Sequence, residues 1–111
     1  MTDQQEQCDW YCVRTVLQFT GSHPSTYEER LTLWAVPDFE AAVEAAESEA
    51  RDYASSIPGC AFIGLAQAYH LPESPGHGAE VFSLMRDSAL SADTYVRTFF
   101  DTGTERQQHR P

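Results

Sequence analysis

Apolar and polar residues alternate with a period of two through residues 10–19 and again through 27–36, and the period then changes to about 3.6 over residues 37–57. The pattern predicts two strands followed by a long helix. In the first strand Tyr11, Val13, Thr15, Leu17 and Phe19 share one face, and Trp10, Cys12, Arg14, Val16 and Gln18 share the other. Gly21 and Pro24 mark a hairpin loop over residues 20–26. In the second strand Leu31, Leu33 and Ala35 make an apolar face, opposed by Glu28, Arg30, Thr32 and Trp34. An antiparallel register centred near His23 sets Phe19 opposite Tyr27, Val13 opposite Leu33 and Cys12 opposite Trp34. Both apolar faces then point the same way, as a one-sided core requires. The same register gathers Trp10, Arg14, Arg30 and Trp34 on the opposite face.

The helix has a capping residue in Asp38, and Phe39, Ala42, Val43, Ala46, Ala50, Tyr53, Ala54 and Ile57 recur at helical spacing. Glu40, Glu44, Glu47, Glu49 and Asp52 fill its other faces, and Pro58-Gly59 stops it. The short apolar run over 61–71 reads as an inner strand, in which Gly64, Ala66 and Ala68 leave room for a helix to approach. A loop over 72–78 leads to a fourth strand over 79–87. Ser91 caps a second helix, Leu90 and Tyr95 have hydrophobic-staple spacing, and Tyr95, Val96, Phe99 and Phe100 form its apolar stripe up to Gly103. Residues 1–9 read as a flexible start and 104–111 as a polar tail. The fold expected for 10–103 is a single α+β domain, a two-layer sandwich of order ββαββα with a mostly antiparallel four-stranded sheet.

Charge narrows the function. The 111 residues carry seventeen acids against seven arginines, with no lysine, for a net charge of −10. Phosphate-backbone binding needs clustered Lys and Arg, so nucleic acid is excluded as a partner, and anionic membrane surfaces are disfavoured for the same reason. Asp3, Glu6 and Asp9 stand where a basic, then apolar, export leader would. No stretch approaches the ~18 apolar residues of a membrane span. Three cysteines, an odd number, fit reduced thiols in the cytoplasm.

Little of the remaining chemistry converges. Cys8 and Cys12 on one strand would stand about 13 Å apart at ~3.3 Å per residue, too far to share a metal. Cys60 with His70 or His77 lacks the local signature of a nucleophile. Glu28 and Glu29 are adjacent, so they point to opposite faces. The loop 72–78 lacks the GK[ST] ending of a phosphate loop. No catalytic residue, metal ligand or cofactor is assigned.

Several words of the sequence occur in a familiar order. They are Tyr27-Glu28-Glu29-Arg30 on a strand ending in Trp34, Gly64-Leu65-Ala66-Gln67-Ala68-Tyr69, Glu80-Val81-Phe82-Ser83 with Arg86 and Ser88, and Phe100-Asp101-Thr102-Gly103 with Glu105-Arg106-Gln107. Together they resemble a family of short bacterial proteins designated domain-of-unknown-function family 4288, over nearly the whole chain. The resemblance implies a small α+β bacterial domain and carries no catalytic or ligand residues with it.

The face holding Trp10, Arg14, Arg30 and Trp34 is the leading functional candidate, because Trp and Arg are enriched among interface hot spots. The expectation is a non-catalytic, cytoplasmic protein-interaction module of the regulator or toxin-neutralising kind. Its partner would be another protein chain, a basic one suiting the charge, or a second copy forming a homodimer. The alternative is a small-molecule-binding or enzymatic domain, with a pocket between the sheet and the last helix drawing on Gln67, Tyr69, Glu80 and Arg86.

Overall fold

The computed structural model describes residues 7–21 and 23–107. Strands β1 (Asp9–Phe19) and β2 (Thr26–Val36) form an antiparallel hairpin. Helix α1 (Phe39–Ser55) follows, then strand β3 (Cys60–His70) and helix α2 (Ala92–Phe99). The sheet order is β2-β1-β3, with β1 antiparallel to both neighbours. β2 and β3 therefore run in the same direction, and parallel strands need a long connection. α1 is that connection, and it lies across one face of the sheet. Among the described residues no helix is long and apolar enough to cross a membrane.

The central position of β1 explains where the core sits. Its inner row of Tyr11, Val13, Thr15 and Leu17 is covered by the helix and flanked on both sides, leaving 5% or less of each exposed. The covering surface of α1 is a stripe of Ala42, Ala46, Ala50 and Ala54 at i, i+4 spacing, all buried. Methyl groups let the helix axis come close to the strands. Trp34 and Val36 of β2 and Ala66 and Ala68 of β3 close the sides of this cluster. Asp38 caps the helix, its carboxylate accepting from the Ala41 amide at 2.8 Å. After α1 the chain turns at Gly59, whose carbonyl accepts from the Thr20 amide at 2.9 Å and so ties the helix end to the hairpin loop.

β3 carries a bulge. Thr15 pairs with Ala66 and Leu17 with Phe62, so residues 63–65 on β3 face only Val16 on β1. Gly64 stands in the middle at φ +93°, and nothing lies within 4 Å of where its Cβ would be. Glycine is needed there for backbone conformation rather than for space.

Three expectations need correction. The sheet has three strands in the order ββαβα; residues 79–87 form no strand. That segment crosses onto the outer face rather than running along an open strand edge, so its backbone joins no ladder. Its Phe82 instead lies against the outer face of the sheet, near Tyr69 and Arg14. The hairpin register is one residue away from the expected one: Val13 pairs with Thr32, Cys12 with Leu33 and Tyr11 with Trp34. A slip of one turns every β2 side chain to the other face. Leu31 and Leu33 thus point away from the helix, and Glu28, Arg30, Thr32 and Trp34 point towards it. The sandwich layer expected from the second helix is also absent, as no Cα of α2 comes within 8 Å of a Cα in α1 or the strands.

The helix bounds themselves lie close to expectation. α1 is shorter by two residues at each end than the expected 37–57, and Ser91 caps α2, accepting from the Thr94 amide at 3.3 Å. Of the expected flexible start, residues 1–6 lie outside the described residues, and Asp9 already belongs to β1. Of the expected polar tail, 108–111 lie outside them too. Within 104–107 Arg106 reaches back to the Thr26 hydroxyl at 3.4 Å.

Candidate functional site

On the inner face the slipped register creates a polar clamp. Arg30 donates to both carboxylate oxygens of Glu49 on α1, at 2.9 and 3.0 Å. Its guanidinium stacks over the Tyr53 ring at 3.8 Å. The Tyr53 hydroxyl donates to Glu28 at 2.7 Å. That bond holds the phenolic proton and pushes the Tyr53 pKa up, and the bond to Glu49 does the same for Arg30. Trp34 continues the row, its indole N–H donating to Thr32 at 2.8 Å. These groups are fully engaged with one another, and they fasten β2 to the helix.

The outer face is built differently. Arg14 donates to the Gln67 carbonyl oxygen from Nε at 3.0 Å and Nη2 at 2.7 Å, and pairs with Glu29 at 3.7 Å. The Phe82 ring lies 5.2 Å from its guanidinium and 5.9 Å from the Tyr69 ring. Tyr69 donates to Glu80, which pushes the phenol pKa up. Cys12 is buried between neighbouring strands, and burial raises its thiol pKa. Beside this cluster runs the outer row of β2: Tyr27, Leu31 and Leu33 are 56%, 52% and 42% exposed. Leu31 and Leu33 are adjacent on this row and half in water, and Glu29, paired with Arg14, separates them from Tyr27.

The four residues chosen from the sequence as one interaction face do not share a face. Trp10 and Arg14 are on the outer side, while Arg30 and Trp34 are on the helix side and occupied there. The alternative pocket set also divides. Gln67 and Tyr69 lie on the outer face, Gln67 accepting from Arg14 and Tyr69 donating to Glu80. Arg86 lies further along the chain, donating to the Tyr95 hydroxyl at 2.8 Å and stacking on Phe99 at 4.0 Å. Sequence reasoning missed the outer row of β2 and the docking of Phe82. Leu31 and Leu33 are visible in the sequence as an apolar pair, which the expected register turns towards the core.

Two of the three thiols are shielded to different degrees. Cys60 is half-buried at the start of β3, where burial raises its pKa, the opposite of what a nucleophile needs. His70 lies 3.1 Å from Asp9 through Nε2 and stacks on Tyr11. Cys8 is exposed just before β1. Among the described residues no group of three or more His, Cys, Asp or Glu could hold a metal ion.

α2 has its own exposed apolar surface, with Val96, Phe99 and Phe100 at 46%, 39% and 60% exposure. Leu84, Met85 and Leu90 on the segment leading to it are exposed as well. Comparison of the chain with family profiles, with curated proteins and with solved structures gave no match.

Proposed function

We propose that the protein is a non-catalytic protein-interaction module of the bacterial cytoplasm, whose contact surface is the outer face of its sheet. The observation that carries this reading is the exposed row Tyr27, Leu31 and Leu33. Such a row is costly in water and suited to a protein partner. The polar groups beside it support the same reading. Arg14 with Gln67, and Tyr69 with Glu80, form two hydrogen-bonded pairs that hold the surface in shape.

Crosslinking in cells tests this. A photoreactive phenylalanine analogue in place of Leu31 should capture another polypeptide chain on irradiation. The same analogue in place of Glu44, on the exposed side of α1, should capture none. No adduct at Leu31, or equal adducts at both positions, overturns the reading.

A further inference from the structure

The two edges of the sheet are not alike. β1 is central, so β2 and β3 each have one side paired and one side open. On β3 the open side is broken by the bulge at residues 63–65, with Gly64 at φ +93°. β2 pairs with β1 in unbroken register from Thr26 to Val36, with no proline, no lysine and no bulge. Among the described residues no strand lies on its other side, and no backbone hydrogen bond from a loop reaches it. Among these residues the tail bonds to it only at its first position, where Arg106 reaches the Thr26 hydroxyl.

An open edge states by its own chemistry what fits it. Every second residue turns both its N–H and its C=O outward, a repeat that another extended backbone matches. Inward-pointing charges on an edge strand normally ward off such a neighbour. Here they are already satisfied from α1, Arg30 donating to Glu49 and Glu28 accepting from Tyr53. The outer row then selects the side chains that a fourth strand brings. Leu33 and Leu31 are half in water, and Glu29 beside them keeps 67% of its side chain exposed, with Arg14 no nearer than 3.7 Å. A matching strand sets apolar residues opposite the two leucines and a basic residue opposite Glu29.

A second copy does not supply that pattern. Antiparallel pairing of β2 with β2, outer rows on one side, sets Tyr27, Glu29, Leu31, Leu33 or Ala35 opposite Glu29, and none of these is basic. The net charge of −10 on each chain adds to the mismatch.

We propose that the open edge of β2 is a strand-addition site for an extended segment of a different protein, with the pattern apolar-x-apolar-x-basic, running antiparallel over residues 29–33. This rests on the outer face being a protein-contact surface, and it names the partner's chemistry. Main-chain bonds to the edge hold the segment, and its alternate side chains, lying on the outer row, choose it.

Fluorescence anisotropy of the full chain with the dye-labelled heptapeptide acetyl-TVTVTKT-amide tests the site. The peptide should bind, and replacing its lysine with glutamate should weaken binding roughly fivefold. Glu29→Lys, a change at an exposed position, should invert that preference. Two further probes carry N-methyl groups, one on the amides of the valines and lysine, the other on those of the threonines between them. One probe should lose at least about tenfold in affinity and the other less than about twofold, because only alternate amides face the edge. Equal effects of the two methylations mean docking by side chains alone and overturn strand addition. Absence of binding overturns it, and so does a preference for lysine that survives Glu29→Lys. A native chain that is dimeric by light scattering and dissociates as peptide binds overturns it too, since the edge then belongs to a second copy. If no peptide binds while position 31 still captures another protein in cells, the interaction-module reading stands and only the edge site is lost. If neither is seen, both fail.

Discussion

The two faces of the sheet solve the same problem with different means. On the inner face, methyl groups suffice: Ala42, Ala46, Ala50 and Ala54 close over Val13 and Leu17, and nothing of that row is left in water. On the outer face, the larger side chains Tyr27, Leu31 and Leu33 stand half-exposed beside a hydrogen-bonded polar cluster. Size of side chain thus does not tell which side is the core. What decides is which face is followed by a helix whose own small residues can come close.

The contrast breaks most visibly at Leu17. Leu17→Ala should cost about 2–5 kcal/mol in urea unfolding, since the residue is fully buried. Leu33→Ala, measured at a dilution where copies are separate, should cost less than about 1 kcal/mol, as exposed substitutions do. Equal costs would mean that the outer row is covered within a single chain.

The next effect concerns the clamp between β2 and α1. Arg30→Met should lose about 1–2 kcal/mol, combining a partly buried ion pair with stacking on Tyr53. Adding Glu49→Gln to that variant should change stability by no more than about 0.5 kcal/mol, because the partner is already gone. Full additivity in urea titrations would place Arg30 outside the clamp.

A smaller effect of opposite sign is expected at Thr15. It is buried at 1% exposure, and its hydroxyl has no hydrogen-bond partner among the described residues. Thr15→Val keeps the shape, removes the unmet group and should raise stability by about 1 kcal/mol. A loss in thermal unfolding would show that the hydroxyl does find a partner, a bound water being the natural one.

The smallest effect is on alkaline stability. Glu28 accepts the Tyr53 proton, so the folded chain holds that proton to higher pH than the unfolded chain does. The resulting stability is present below the ordinary tyrosine value of about 10, and it is lost as pH rises from there through the folded value. Tyr53→Phe should flatten that fall without abolishing it, because the pKa values of Tyr11 and Tyr69 are raised too. Tyrosinate absorbance, followed alongside unfolding, reports the sign. A steeper fall in Tyr53→Phe would contradict the assignment.

Much of the inner layer was legible in the sequence. Asp38, the alanine stripe and Pro58-Gly59 fix α1 by local chemistry, and the odd-numbered row of β1 follows from its period of two. The register of the hairpin was not legible, because β2 alternates large residues on both faces: Leu31 and Leu33 on one, Arg30 and Trp34 on the other. A signal existed in Glu49 and Tyr53, four apart on α1, which match Arg30 and Glu28, two apart on β2. Cross-element pairing of polar residues would have chosen the observed register. Residues 79–87 were misread because Val81, Phe82, Leu84 and Met85 look strand-like, while their neighbour in space could not be known. The candidate surface followed the register, so one slip moved half of it to the wrong side.

The placement of charge has a consequence for how molecules meet. With the acids of α1 on one side of the sheet and only Glu80 beyond the Arg14–Glu29 pair opposite, each molecule behaves as a lopsided charge. At low ionic strength two such bodies repel most when helix faces helix. The resulting torque rotates them before contact, so that encounters begin with the less charged sides inward. Salt removes that guidance beyond a screening length of about 10 Å. Added salt therefore weakens orientation while it also softens overall repulsion, and the two act on the encounter rate in opposite directions.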